Sequence, residues 1–204
     1  MGVIRHFGPV PQYRRMMIFV DGENLVFRYQ DMLSKGFIPH VHNSYEKDIF
    51  VWNQNSLVNL QKQHEILRAT YYTYASGDDE RLYDIKQKLK SLSFIKDGQS
   101  VLPEYLYPQV FTKLKRHASG KGVDIQLTVD ILTHALQNNL ETVFLLSGDG
   151  DYKPVIETVM QNGKQVFLAA FSSGLNPTLP HIVDKFVSLD NMYFEKDPNG
   201  NPVT

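Results

Sequence analysis

The sequence predicts one α/β domain with a mostly parallel central sheet. Short, continuous apolar runs, such as MMIFVD at 16–21 and ETVFLLSG at 141–148, are typical of strands that are buried on both faces. Segments with helical periodicity alternate with these runs along the chain, which is the pattern of parallel α/β proteins. No internal repeat, low-complexity tract or linker divides the 204 residues, so one domain is expected.

In the first half of the chain, the strand at 16–21 is followed by a helix predicted over 22–36. This helix is indicated by apolar residues at helical spacing: Leu25, Val26, Tyr29, Met32 and Leu33. Residues 37–54 are rich in aromatic side chains and are predicted to be irregular, and residues 56–67 are predicted to form a helix. The run RATYYTYA at 68–75 consists mostly of β-forming residues and predicts the next strand.

The second half continues the alternation of helices and strands. Acidic residues in the first turn and lysines in the last turn favour a helix over 78–92, because they complement the helix dipole. Two prolines within 101–115 favour an edge strand or an extended segment. The remaining predicted elements are a helix over 123–139, a strand over 141–148, a helix over 152–163, a strand over 164–171, a short helix beginning at 176 and a strand over 186–190.

The composition excludes several classes of function. The net charge is −1, so no overall field attracts a polyanion, although a local basic patch is allowed. The absence of cysteine excludes disulfides, thiolate zinc sites and a cysteine nucleophile. No apolar stretch approaches the roughly 20 residues of a membrane span, and residues 1–15 lack the apolar core of a secretory signal. We therefore expect a cytoplasmic protein that binds no membrane.

Four aspartates follow or flank predicted strand ends. Asp21 ends the first strand, and Asp149 and Asp151 follow the strand at 141–148 in the sequence SGDGD. Asp124 lies at the start of the predicted helix that precedes this strand. The carboxyl ends of parallel strands form one edge of a sheet, where ligands bind. Clustered carboxylates repel one another unless a proton or a cation compensates, and Mg²⁺ prefers oxygen ligands. The pattern therefore predicts a metal site that acts on a phosphate.

Each of these aspartates also has a structural interpretation. Asp124 is placed to cap its helix, Asp151 to cap the helix that begins near Tyr152, and Asp21 to form a turn with the glycine that follows it. For any one aspartate alone, the structural interpretation is the stronger of the two. Because all four are predicted at one edge of the sheet, the functional interpretation is favoured for the set.

The sequence resembles the NYN branch of the PIN-like nuclease family. The matching stretches are IFVDGENL at 18–25, KGVDIQLTVDIL at 121–132 and VFLLSGDGDYKPVIETVMQNGKQV at 143–166. The resemblance implies a three-layer, Rossmann-like α/β sandwich and a ribonuclease that depends on Mg²⁺ or Mn²⁺. We expect this domain to span residues 16–191, with an N-terminal extension at 1–15 and a C-terminal tail at 192–204, of which 195–204 is expected to be frayed.

The resemblance also assigns roles to individual residues. The acids that it places at the metal, and in the catalytic set, are Asp21, Asp124, Asp149 and Asp151. Asn24 matches an asparagine that would position a water, a phosphate or a loop, and Ser147 matches the residue before the glycine of the third motif. Asp130 matches a second acid of the middle motif. It lies roughly 120° around the helix from Asp124, so a hydrogen-bonding or surface role is favoured over metal binding.

A basic stretch precedes the helix that carries Asp124. FTKLKRHASGKG, at 111–122, contains no acidic residue, and its predicted RNA-binding residues are Lys113, Lys115, Arg116 and Lys121. Phosphates need cations that the aspartates cannot supply, so this stretch is suited to hold an RNA backbone. A solvated surface loop is the equally weighted alternative.

The aromatic segment at 36–54 has no counterpart in the family pattern. Its Tyr45, Phe50 and Trp52 are suited to stack on nucleobases, and core packing or a contact in a homo-oligomer is the alternative. The nearby His40 and His42 lack an evident third ligand, so a metal role for them is not favoured.

The favoured function is a metal-dependent ribonuclease that hydrolyses phosphodiester bonds of single-stranded or structured RNA. The alternative is a non-catalytic RNA-binding or regulatory module with the same fold. A third interpretation is a Mg²⁺-dependent phosphatase. It ranks last, because the pattern of that class needs a second aspartate near the first strand end, where this chain has Glu23.

Overall fold

The computed structural model describes residues 13–57, 64–93, 105–112 and 121–195. The strands are β1 (Arg14–Asp21), β2 (Ser44–Glu46), β3 (Phe50–Trp52), β4 (His64–Ala75), β5 (Tyr107–Thr112), β6 (Thr142–Leu146), β7 (Gln165–Ala170) and β8 (Lys185–Ser188). The helices are α1 (Gly22–Ser34), α2 (Asp79–Lys90), α3 (Lys121–Leu136), α4 (Lys153–Gln161), α5 (Leu179–Ile182) and α6 (Asp190–Tyr193). Short 3₁₀ turns form at Gln54–Leu57 and Gly150–Tyr152.

Six of the strands form one sheet in the order β5-β4-β1-β6-β7-β8, and every pair in it is parallel. Helices α1 and α2 pack on one face, and α3 and α4 pack on the other. This is the predicted three-layer α/β sandwich. In the described part of the chain, no helix has the combined length and apolar character that crossing a membrane requires.

The strand order places a natural ligand site beside β1. From β1 the chain passes through α1 to β4 on one side, and it later returns through α3 to β6 on the other side. The loops that follow β1 and β6 therefore leave in opposite directions, and a crevice opens at the carboxyl ends of these two strands. Asp21 ends β1, and the SGDGD sequence follows β6.

The two cores differ in composition. The core under α3 and α4 is mostly aliphatic, whereas the core under α1 and α2 is rich in aromatic rings. Tyr29 stacks on Phe194 with 5.2 Å between ring centroids, and Tyr193 and Phe194 are fully buried. The boundary predicted at residue 191 therefore falls inside the packed region. Of the predicted tail, residues 196–204 lie outside the described residues.

The helix predicted over 56–67 is wrong at both of its described ends, and its middle, 58–63, lies outside the described residues. Its first residues belong to a 3₁₀ turn that ends at Leu57, and its last residues, from His64, begin β4. His64 and Ile66 are in register with Arg14 and Met16 of β1, so parallel pairing with the central strand overrides the local helical preference. The segment 37–54, predicted to be irregular, contains the antiparallel β2–β3 hairpin.

Candidate functional site

The inner part of the site is built around one buried carboxylate. Asp21 is only 2% exposed. Its Oδ1 accepts the backbone N–H of Asn24 at 3.0 Å, which caps α1, and its Oδ2 accepts the hydroxyl of Ser147 at 2.9 Å. The side-chain oxygen of Asn24 in turn accepts the N–H of Gly148 at 3.1 Å. These four residues, here called the floor, tie the end of β1 to the loop after β6.

Gly22 allows the floor to pack tightly against β4. A Cβ at this position would lie 2.3 Å from Cε1 of Tyr71 and 2.6 Å from the backbone oxygen of Tyr72. Real Cβ atoms do not approach other atoms this closely, so glycine is required where α1 leaves β1. The sequence DG at 21–22 therefore forms a helix cap at Asp21 and a point of close packing at Gly22. It does not form the turn that the structural interpretation of Asp21 predicted.

The loop after β6 contributes two more carboxylates. Asp149 donates its N–H to the Ser147 hydroxyl at 3.2 Å, and its Oδ1 accepts the N–H of Asp151 at 3.0 Å. Asp149, rather than Asp151, therefore caps the 3₁₀ turn that leads into α4. The side chain of Asp151 is exposed.

Asp124 lies across the crevice on α3. The helix begins at Lys121, so Asp124 occupies its first turn rather than the cap position considered from the sequence. Its Oδ1 accepts the hydroxyl of Tyr152 at 3.3 Å. Asp124, Asp149 and Asp151, here called the rim, line a cavity of about 200 Å³ whose apolar wall includes Ile125 and Val129.

The electrostatics of the site reflect crowded negative charge. Burial raises the pKa of Asp21 to about 7; the hydrogen bonds from Asn24 and Ser147 oppose this rise, and the charges of Asp124 and Asp149 add to it. The pKa of Asp124 is also raised, first by partial desolvation and then by Asp149 and Asp151, against the hydrogen bond from Tyr152. Burial and these carboxylates raise the pKa of Tyr152, so its hydroxyl stays protonated as a donor. A cation would relieve this repulsion.

The donor set fits a hard divalent cation in its chemistry. All four side chains offer carboxylate oxygens, the ligands that Mg²⁺ and Mn²⁺ prefer. Across residues 13–57, 64–93, 105–112 and 121–195, no group of three or more His, Asp or Glu side chains is arranged to hold an ion directly. Binding would therefore require the rim carboxylates, which are exposed or half-buried, to turn inward.

The other predicted site residues either lie away from the floor and the rim or fall outside the described residues. Asp130 accepts the Tyr72 hydroxyl and the Gln126 amide, each at 2.7 Å, and lines a separate small cavity beside Arg68 and His134. It therefore points away from the rim. The basic residues Lys113, Lys115 and Arg116 lie outside the described residues, and for Lys121 only the backbone is described, as the start of α3.

The aromatic segment mainly fills the core. Phe50 and Trp52 are buried, so they cannot stack on RNA, and the indole N–H of Trp52 donates to the backbone oxygen of Ser93. Tyr45 is partly exposed and packs against Tyr29 with 5.1 Å between ring centroids. The structure thus favours the core-packing alternative for this segment.

Two site residues were missed from the sequence. Tyr152 holds Asp124 in place, and its position directly after Asp151 is the only local signal. Asn176 donates its N–H to the Gly148 carbonyl at 3.0 Å, and its amide packs so closely on Gly150 that a Cβ there would lie 2.1 Å from Nδ2. The turn sequence NPT at 176–178 marks the loop but not its contact with the site.

Comparisons with known proteins agree with this fold. The solved structure of a protein of unknown function from Vibrio parahaemolyticus superposes with a TM-score of 0.61 at 18% identity, over 92% of this chain and all of that one. This likeness shows a shared fold. No curated protein matches the chain significantly. A family model described as the NYN domain matches residues 15–190, from the second residue of β1 to the first residue of α6. The chain therefore belongs to the NYN domain family.

Proposed function

We propose that this protein is a divalent-metal-dependent ribonuclease that hydrolyses phosphodiester bonds in RNA. Membership of the NYN domain family supports a nuclease-like function related to RNA. In this proposal Asp21, Asp124, Asp149 and Asp151 hold Mg²⁺ or Mn²⁺, and the basic residues before and at the start of α3 hold the RNA backbone.

The observation that carries the proposal is the buried carboxylate of Asp21. A protein that needed only a cap for α1 would gain nothing from burying a carboxylate near two others, because its charge is costly there. Burial and the neighbouring carboxylates raise its pKa to about 7, so the ionised form is disfavoured and a cation would stabilise it. The position at the crevice between β1 and β6 is where ligands bind in open α/β sheets.

The residues of the chain have distinct parts in the proposed reaction. When bound, the cation would neutralise a phosphate oxygen and lower the pKa of an attacking water. Ser147 and the N–H of Asn24 fix the two oxygens of Asp21, and Tyr152 orients Asp124. Asp21 must lose its proton to act as a ligand. Ile125 and Val129 give the cavity an apolar wall on the α3 side.

The test is cleavage of a labelled single-stranded RNA in Mg²⁺ or Mn²⁺ by the wild type and by Asp149→Asn. This substitution keeps the size of the side chain and removes one charge from the rim. We expect cleavage to fall by at least about 100-fold, and to be abolished by EDTA. Asp84→Asn on the exposed surface of α2 is the matched control and should cut like the wild type.

A second candidate is a non-catalytic RNA-binding module. It is favoured by the lack, among the described residues, of three acidic or histidine side chains already arranged around an ion. RNA binding without cleavage of any RNA or DNA substrate, in either metal, would support this candidate. Equal cleavage by the wild type and Asp149→Asn would instead point to a contaminating enzyme or to a site elsewhere.

A further inference from the structure

A second cleft lies beside the floor, on the opposite face of the sheet from the rim. It has a volume of about 460 Å³, within the range of small-molecule sites. Its walls come from α1, the turn between β2 and β3, and the end of β4, and they include Phe27, Gln30, Lys47, Asp48 and Thr73. The proposed reaction makes no use of this cleft.

The cleft borders the proposed active site along one edge of the sheet. Asp21 is in register with Tyr72 of β4, so the cleft residues at 73–76 extend just past the end of β1. Glu23, which also lines the cleft, follows Asp21 by two positions on α1. The cleft therefore opens near the same edge of the sheet as Asp21, where an RNA strand bound at the rim and continuing along this edge would reach it.

The cleft offers an aromatic surface to a ligand. Phe27 is 60% exposed, although it lies on a helix whose other large apolar residues are buried or partly buried. The guanidinium of Arg28 lies 5.1 Å from the centroid of its ring, which leaves one face for a second partner. Exposed aromatic rings beside a phosphate-binding site are the usual platforms for stacking single-stranded bases.

Two other side chains of the cleft, one on α1 and one in the turn between β2 and β3, offer hydrogen-bond acceptors. The amide nitrogen of Gln30 donates to Oδ1 of Asp48 at 2.9 Å and to the Tyr45 hydroxyl at 3.0 Å. With both amide hydrogens committed, Gln30 contributes its carbonyl oxygen, and Asp48 contributes a carboxylate. Asp48 has a φ of 61°, which is a left-handed conformation that glycine adopts without strain. The chain therefore has a carboxylate at a position where the backbone conformation alone favours glycine.

We propose that this cleft is a base-binding subsite of the active site, in an inference that rests on the proposed ribonuclease function. One nucleobase of the bound strand stacks on Phe27, and its edge donates hydrogen bonds to Gln30 and Asp48. Because Gln30 and Asp48 present acceptors to the edge of the base, the subsite favours bases with an exocyclic amino group, namely adenine, cytosine and guanine, over uracil.

The test compares Phe27→Ala with Tyr83→Ala, a matched control on α2 that removes an equally exposed ring, 61% exposed, away from both sites. Stacking is worth about 1–3 kcal/mol per base, so we expect KM for single-stranded RNA to rise about tenfold in Phe27→Ala, with the loss confined to KM. Tyr83→Ala should match the wild type. An unchanged KM in Phe27→Ala overturns the inference.

Base preference is tested with Asp48→Asn, which suits the left-handed backbone and adds a donor to the wall. The wild type should cleave A- and C-containing oligonucleotides with a higher kcat/KM than oligo(U), and the variant should lose at least half of this preference. If Phe27→Ala fails to fold, as judged by its melting curve, Asp48→Asn decides the question alone. Equal preference in the wild type and the variant contradicts the assignment.

Direct binding separates this inference from the proposed function. Fluorescence anisotropy with labelled RNA in EDTA needs no catalysis. If the wild type binds RNA but cuts nothing, and Phe27→Ala binds about tenfold more weakly, the subsite stands and the ribonuclease fails. If Asp149→Asn loses cleavage while Phe27→Ala binds and cuts like the wild type, the ribonuclease stands and the subsite fails. Absence of both binding and cleavage overturns both.

Discussion

The floor and the rim of the candidate site use the same type of side chain in opposite ways. In the floor, Asp21 is buried and accepts two hydrogen bonds: the one from Asn24 caps α1, and the one from Ser147 joins β1 to the loop after β6. In the rim, Asp124 and Asp151 are exposed, and the described contact of Asp124 is a long hydrogen bond from Tyr152. A substitution in the floor should therefore change both the stability of the fold and the proposed chemistry, whereas a substitution in the rim should change the chemistry alone.

This difference explains how a charged cluster persists in a folded domain. The buried carboxylate is tolerated because its oxygens are hydrogen-bonded and its charge can be neutralised by a proton. The exposed carboxylates remain solvated, so their mutual repulsion is screened. Substitutions in the two regions should consequently differ in their effect on the free energy of unfolding, and the following expectations run from the largest effect to the smallest.

Gly22→Ala should be the most damaging change in or next to the floor. The added methyl group would collide with the Tyr71 ring and with the Tyr72 backbone, and backbone cannot move aside cheaply. We expect a loss of about 3 kcal/mol in the free energy of unfolding, measured by urea denaturation. Gly163→Ala is a suitable control, because its Cβ meets no atom within 4 Å and only its positive φ opposes it. A loss of about 1 kcal/mol is expected there.

Ser147→Ala should cost about 2 kcal/mol, because it leaves a buried carboxylate oxygen and the N–H of Asp149 without their partner. Tyr152→Phe makes the matching change in the rim, where the hydroxyl serves an exposed carboxylate. Its cost should stay below about 1 kcal/mol. Equal costs in the two variants would break the distinction between floor and rim.

The pH dependence of the metal-free protein should report on Asp21. Its pKa rises from 3.8 to about 7 on folding, so between these values the folded state holds a proton that the unfolded state releases. The stabilising contribution is complete below pH 4 and is lost as the pH rises to about 7.

The measurement is urea denaturation in EDTA across this range. Compared with Asp21→Asn, the wild type should lose roughly 1 kcal/mol of stability per pH unit as the pH rises. Parallel pH profiles for the two proteins would show that Asp21 does not titrate in this window.

Asp124→Asn should have the smallest effect on stability and a large effect on catalysis. The exposed rim position allows a change of less than about 0.5 kcal/mol in the free energy of unfolding. If the proposed function holds, RNA cleavage should fall as it does in Asp149→Asn. A strongly destabilised but active Asp124→Asn protein would reverse the roles assigned to the rim.

The fold was predictable from the sequence because its strands are unusually apolar. The apolar runs that end at Asp21 and Ser147 predict buried parallel strands, and the segments between them have apolar residues at helical spacing. The start of β4 was missed because the pairing of His64 with Arg14, which decides its conformation, is not visible locally. The burial of Phe50 and Trp52 was likewise invisible, since it depends on the packing of the hairpin on α1.

The residue types of the site were predictable, but the structural role of each residue was not. The SGDGD sequence and the position of Asp21 point to one edge of the sheet, where the structure places both. Sequence could not show that Asp149 caps the turn in place of Asp151, because both aspartates are suited to that role. It also could not show that Asn176, far along the chain, packs on Gly150.

The aromatic core under α1 has a consequence for synthesis of the protein. Asn43 donates its amide to the Tyr193 carbonyl, a contact between residues 150 positions apart, and Phe194 stacks on Tyr29. A ribosome that has made β1 and α1 must therefore add most of the remaining domain before this side of the sheet can close. Until then, the nascent chain exposes several aromatic rings, and this is the interval in which chaperones would protect it.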